Sequence, residues 1–192
     1  MKKITFLFAM LVASVVANGQ NSIPADSVGV WAVDGNTLTR IDKLTYQGVK
    51  GSGGLATAAT FGIAKTKAKL EFKGQTSEHV FNGTAKLRIY FGNPPMQQMT
   101  NLFMFTPAYS IKNFDVARFD VKKGKRYLTG FSVSLFGSSS GVSATDDVQI
   151  QTNEIRSGVY DITVSGKSGE YCLMFTANGT GGFGGVFDFT IK

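Results

Sequence analysis

Gly137-Ser138-Ser139-Ser140-Gly141 fits the Gly-x-Ser-x-Gly pattern, in which a serine is raised on a tight turn between a strand and a helix to act as a nucleophile. The next segment, Val142 to Ile150, has turn and strand character, and the sole histidine, His79, precedes the serine in the chain. A triad base is therefore missing from the expected order, and the motif reads as a hairpin loop. Gly51-Ser52-Gly53-Gly54-Leu55-Ala56 fits Gly-x-Gly-x-x-Ala, with Glu71 placed for a ribose contact. That chemistry needs strands alternating with helices, which the rest of the chain does not offer, so this motif reads as a flexible turn. Zinc catalysis takes three protein ligands, and one histidine with one cysteine do not supply them. Asp146-Asp147, with Ser143 and Thr145, offers oxygen ligands to a calcium ion, although the same residues make a turn. The thirteen acids are otherwise scattered, so hydrolysis by two facing carboxylates would require distant strands to bring them together. None of these motifs implies a cofactor.

Binding chemistry has better candidates. Lys122, Lys123, Lys125 and Arg126 place four cations around one turn, and Lys65, Lys67, Lys69 and Lys73 lie along another segment. A cluster of that kind holds phosphates, acidic glycans or an anionic membrane face, and it equally serves as a solvated turn or a lysine-protected sheet edge. Met96, Met99 and Met104, beside Phe103 and Phe105, form a soft apolar stretch suited either to an adaptable binding surface or to a plug over the end of the core. The basic residues do not interleave with exposed aromatics, so nucleic acid is not an expected partner.

The elements that must position these residues are strands. Apolar residues alternate with polar ones at Leu87, Ile89 and Phe91, at Val148 and Ile150, and at Phe187, Phe189 and Ile191, which predicts strands with one face on a core and one in water. In Arg126 to Phe136 the expected inward set is Tyr127, Phe131, Val133 and Leu135. Asp34-Gly35-Asn36 and Lys122-Lys123-Gly124-Lys125 read as hairpin turns, as do Asn82-Gly83 and Asn178-Gly179. Phe114 and Val116 are out of phase with Phe119 and Val121, which predicts a β-bulge near Ala117-Arg118. About ten strands at short, regular spacing predict an all-β, antiparallel β-sandwich, immunoglobulin-like or Greek-key, over residues 67–192. A small N-terminal hairpin unit is expected over 20–50, and a Gly/Ala-rich linker or short helix over 51–66.

Residues 1–19 read as a signal peptide: Lys2 and Lys3 precede the apolar run Ile4 to Ala17, which is too short to span a bilayer, and Ala17 and Gly19 suit cleavage before Gln20. Removing Lys2 and Lys3 lowers the formal charge from +7 to +5. The single cysteine, Cys172, is far from this segment, so the expected product is not a lipoprotein but a periplasmic or extracellular protein without a transmembrane helix. One cysteine makes no internal disulfide, and Cys172 lies in the apolar run Tyr171-Cys172-Leu173-Met174-Phe175, where a buried, inert thiol is expected. The mature chain, roughly 170 residues, is large enough to bury a core without such a staple.

Asp26-Ser27-Val28 resembles the O-glycan acceptor of exported Bacteroidota proteins, which implies Ser27 as a modification site. Gly158-Val159-Tyr160 and Gly169-Glu170-Tyr171 resemble the glycine, any residue, tyrosine entry to late strands of immunoglobulin-like and fibronectin-like sandwiches, where a tyrosine anchors a corner. Together these features resemble exported Bacteroidota-type proteins with an immunoglobulin-like sandwich. The expected function is a non-enzymatic binding or structural module of the cell envelope, its partner an anionic envelope glycan or another envelope protein. A small outer-membrane barrel and a glycan-active enzyme with two carboxylates are the other readings.

Overall fold

Alternating burial along the strands shows where the core sits. Leu87 and Ile89 are fully buried, and so are Ile162 and Val164, each flanked in sequence by partly exposed or polar residues. The computed structural model describes residues 28–52, 66–91, 110–134, 137–140, 145–177, 180–181 and 186–192, with backbone alone at 52, 66–68, 130–134, 137–140, 176–177 and 180–181. The protein is an all-β sandwich. Among the described residues there are fifteen strands and one 3-10 turn, Ile111–Asn113.

The first sheet contains β1 (Gly29–Asp34), β2 (Thr37–Ile41), β6 (Thr84–Tyr90), β11 (Val148–Arg156) and β12 (Val159–Gly166), in the order β11-β12-β6-β1-β2. The second contains β3 (Gly48–Ser52), β4 (Thr66–Phe72), β8 (Asp120–Lys122), β9 (Lys125–Ser134) and β10 (Gly137–Ser140), in the order β10-β9-β4-β3 with β8 also paired to β9. The third contains β5 (Val80–Phe81), β7 (Phe114–Arg118), β13 (Gly169–Ala177), β14 (Thr180–Gly181) and β15 (Phe187–Ile191), with β7 and β15 flanking β13. All pairings are antiparallel except β5 with β15. Among the described residues the sheets keep open edges and do not close into a barrel, which speaks against the outer-membrane barrel reading.

The third sheet lies between the other two. Tyr171, Leu173 and Phe175 of β13, with Phe187, Phe189 and Ile191 of β15, pack into one cluster with Val30, Leu87, Ile89 and Ile162 of the first sheet. Cys172 and Met174 face the opposite way, into a second cluster with Leu70, Phe72 and Leu128. Burial on both faces is why the run from Tyr171 to Phe175 is apolar without alternation. It also overturns the expectation that the second face of Phe187–Ile191 meets water, because Asp188 and Thr190 are buried as well.

Four further expectations change for related reasons. The hairpin β1-β2 turns at Gly35, with φ +55, but β1 also pairs with β6 through Val30 and Ile89, so it is the edge of the first sheet and not a unit ahead of the sandwich. Gly51 and Ser52, assigned to a linker, lie in β3 and pair with Ala68 and Lys67 of β4, while 53–65 fall outside the described residues. The phase change after Val116 is a change of sheet instead of a bulge: the chain leaves β13 at Arg118, the Phe119 N–H donates to Glu170 O at 2.9 Å, and β8 joins β9. Val121 is consequently exposed. Asn82-Gly83 carries the chain from β5 in the third sheet to β6 in the first and closes no hairpin; Gly83, with φ +80, donates to Lys192 O.

The tyrosine corner expected at Gly169-Glu170-Tyr171 is present. Tyr171 is fully buried, and its hydroxyl donates to Lys167 O at 2.6 Å, tying the turn before β13 to the strand. In β9 the buried residues are Arg126 and Leu128, whereas Tyr127 is half-buried with its hydroxyl accepting from Lys50. Pairing with β4 shifts register between Ala68 and Lys69 and skips Gly130, so the inward face changes parity there. The side chains of Phe131, Val133 and Leu135 lie outside those described. In β11, Ile150 is exposed, because this edge strand has both faces largely in water.

Candidate functional site

The four cations of the β8-β9 turn do not converge on one ligand. Lys123 and Gly124 form its two-residue loop with φ +50 and +78, and Lys122 and Lys123 are exposed. Lys125 pairs with Glu71, which also holds Lys50 at 2.7 Å. Lys125, then Lys50, lowers the Glu71 carboxyl to about 2. Arg126 is buried at 3% exposure: its Nη1 donates to Asp188 Oδ2 at 2.5 Å and lies 3.6 Å from Glu170 Oε2, while Nη2 donates to Lys73 O at 3.1 Å. Its guanidinium stands 5.0 Å from the centre of the Phe119 ring. Lys69, from the second cationic segment, pairs with Asp120 at 2.8 Å.

Other candidate residues are also accounted for. Met96, Met99, Met104 and Ser27 lie outside the described residues, as do Asn178-Gly179 and residues 1–19. The serines of the Gly-x-Ser-x-Gly match sit on β10, paired antiparallel with β9, which is a strand and not the expected loop. Asp147 is bracketed by Arg118 and Lys167, each at 2.7 Å, and these cations, Lys167 first, hold its carboxyl below the usual range. Two cations already occupy the carboxylate that a calcium ion would need. Among the described residues no group of three or more histidine, cysteine or acidic side chains is placed to hold a metal ion. Cys172 is fully buried and burial pushes its thiol up, as the apolar run implied.

What the fold does assemble is an open cleft of about 550 Å³. It is lined by the end of β2, with Thr39 and Arg40, by the loop after β4, with Thr76 and His79, and by Arg126 and Asp188. Ser77 fixes the loop, since its N–H donates to Glu170 Oε2 at 2.9 Å and its hydroxyl donates to Asp188 O at 3.0 Å. Thr190 adds a bond to Glu170 Oε1 at 2.8 Å. The chain after β2 is pinned by paired backbone bonds between Leu44 and Val186. Arg126 Nε is buried without a hydrogen-bond partner.

Arg40 belongs to a second feature. On the outer face of the first sheet, Asn153, Asp161, Arg88, Trp31 and Arg40 are consecutive cross-strand partners on β11, β12, β6, β1 and β2. Arg88 grips Asp161 through two bonds of 2.6 and 2.9 Å, which raises the guanidinium pKa. Tyr90 packs edge-on against Trp31, with ring centres 6.2 Å apart. Sequence reasoning missed this row. The outward position of Trp31 was legible from its place between Val30 and Ala32, but its arginine neighbours come from strands about ten and sixty residues away and are set only by register.

Comparison with family models, curated proteins and solved structures gives no match to this chain. The site's chemistry therefore rests on its geometry. Asp188 and Glu170 are both engaged by Arg126, and Glu170 also accepts from Ser77 and Thr190. Carboxylates held this way stabilise a shape and are poorly placed to trade protons with a substrate.

Proposed function

We propose that this protein is an exported, non-enzymatic binding module of the bacterial cell envelope. The observation that carries the reading is the cleft: it is open, its lining residues are mostly charged or hydroxyl-bearing, and its buried acid, Asp188, is committed to Arg126. Such a recess orients a polar chain through hydroxyl and charged groups, and an acid held by a buried arginine is poorly placed to serve as one of the two carboxylates that glycoside hydrolysis uses. The signal-like segment at 1–19 supports placement in the periplasm or outside the cell. Among the described residues no helix is long and apolar enough to cross a membrane.

The test combines fractionation with a binding assay. Expressed in its full form, the protein should leave the cell on osmotic shock without detergent, and the purified protein should retain envelope polysaccharide without releasing new reducing ends. Retention in the cytoplasm overturns export. Reducing ends whose appearance is lost in Asp188→Asn would instead make the cleft a hydrolase site.

A further inference from the structure

We propose that Trp31 and Arg40 form a recognition subsite for an acidic sugar, with the pyranose ring against the indole and its carboxylate on the guanidinium. The remainder of the saccharide runs into the cleft that Arg40 also lines. This rests on the binding-module reading and names the ligand class of that site.

Four observations support it. Trp31 is the only tryptophan of the chain, and it is held half-buried on the outer face while Val30 and Ala32 on either side enter the core. An aromatic ring fixed by an edge-on Tyr90 presents apolar area at little entropic cost, which suits the C–H face of a pyranose. Arg40 is its cross-strand neighbour, and between them Gly29, with φ +151, contributes no side chain: a β-carbon there would lie 3.8 Å from Trp31 Nε1 and 3.9 Å from Arg40 Cζ. The indole N–H and the guanidinium thus border the same spot.

Arg88, on the other side of Trp31, is committed to Asp161 by its two short bonds. Arg40 meets Asp42 at 3.8 Å, with Asp42 almost wholly in solvent, a contact that water screens.

The cleft itself separates a saccharide from a peptide. Leu44 is the only apolar side chain among its lining residues, so there is no apolar pocket of the kind that anchors a peptide side chain, whereas Thr39 and Thr76 offer hydroxyls. Asp42 and Glu78 share the lining with Arg40, Lys43 and Lys73. That mixture favours single carboxylates placed at Arg40 over a densely sulfated chain, which would meet acids on either side.

The probe is a short oligogalacturonate, titrated against the purified protein while the emission of its single tryptophan is followed and the mixture is checked for new reducing ends. The expected result is a saturable change in emission that neither a neutral oligoglucoside nor an oligoglutamate produces. Arg40→Gln should weaken binding about tenfold or more, the scale of one charge-assisted contact, while melting as wild type does. Trp31→Phe, followed by calorimetry, should weaken binding and keep the preference for acid. Oligogalacturonate binding that is unchanged in Arg40→Gln, equal binding of the neutral sugar, equal binding of oligoglutamate, or no binding by the wild type overturns the subsite. Release of reducing ends would overturn the binding-module reading separately, whatever the tryptophan reports.

Discussion

Arg126 Nη1 donates to Asp188 Oδ2 across 2.5 Å, and this contact joins two sheets: Arg126 belongs to β9 of the second and Asp188 to β15 of the third. Glu170 on β13 and the loop carbonyl of Lys73 share the same guanidinium. A residue that looked like part of a surface patch is the polar centre of the interface between layers.

Truncating Arg126 should therefore damage the fold instead of weakening a surface interaction. Arg126→Ala leaves Asp188 and Glu170 buried without their cation, and should cost about 3–5 kcal/mol. Adding Asp188→Asn should recover part of that loss, because one of the two stranded charges is gone. Denaturant melts of the single and double variants measure both, and a loss under about 0.5 kcal/mol for Arg126→Ala would place the arginine on the surface.

Glu71 gives a pH dependence with a defined sign. Its folded carboxyl is held at about 2 by Lys125 and Lys50, below the ordinary 4.5, so the folded state binds its proton less readily than the unfolded chain does. The stabilisation is present above the unfolded value and is lost as pH falls from about 4.5 towards about 2. Thermal melts of wild type and Glu71→Gln should differ near neutrality and converge at the acid end. A difference that persists unchanged at pH 2 would contradict the assignment.

Cys172 should resist modification in the native protein. It is fully buried in the third sheet, and its thiol is pushed up by desolvation, so little thiolate exists to react. Titration with a thiol reagent should give one equivalent in denaturant and almost none without it. Rapid stoichiometric labelling of the folded protein is the contrary result.

Leu87 and Ile150 look alike in sequence, each in an alternating strand, yet Leu87 is 0% exposed and Ile150 41%. Leu87→Ala should cost about 2–5 kcal/mol and Ile150→Ala at most about 0.5. Equal losses in chemical denaturation would mean that β11 is covered in solution.

The sequence by itself determined the strand character of the chain, the hairpin turns at Gly35 and Lys123-Gly124, the inward set Leu87, Ile89 and Phe91, the buried thiol and the tyrosine corner. Each of these depends on neighbours in the chain: period-two alternation, a φ that glycine adopts readily, or a side chain reaching back four residues. What only the tertiary structure decided is how many layers the strands form and which side chains meet between them. Alternation states which residues share a face but not what covers it, so it predicts water over Asp188 and Thr190, where a second sheet lies. The Arg126 network unites residues from β9, β13, β15 and the loop after β4, and the row through Trp31 unites five strands. Pairing register and sheet order set these meetings, and they depend on contacts between residues far apart in the chain, which local pattern does not encode.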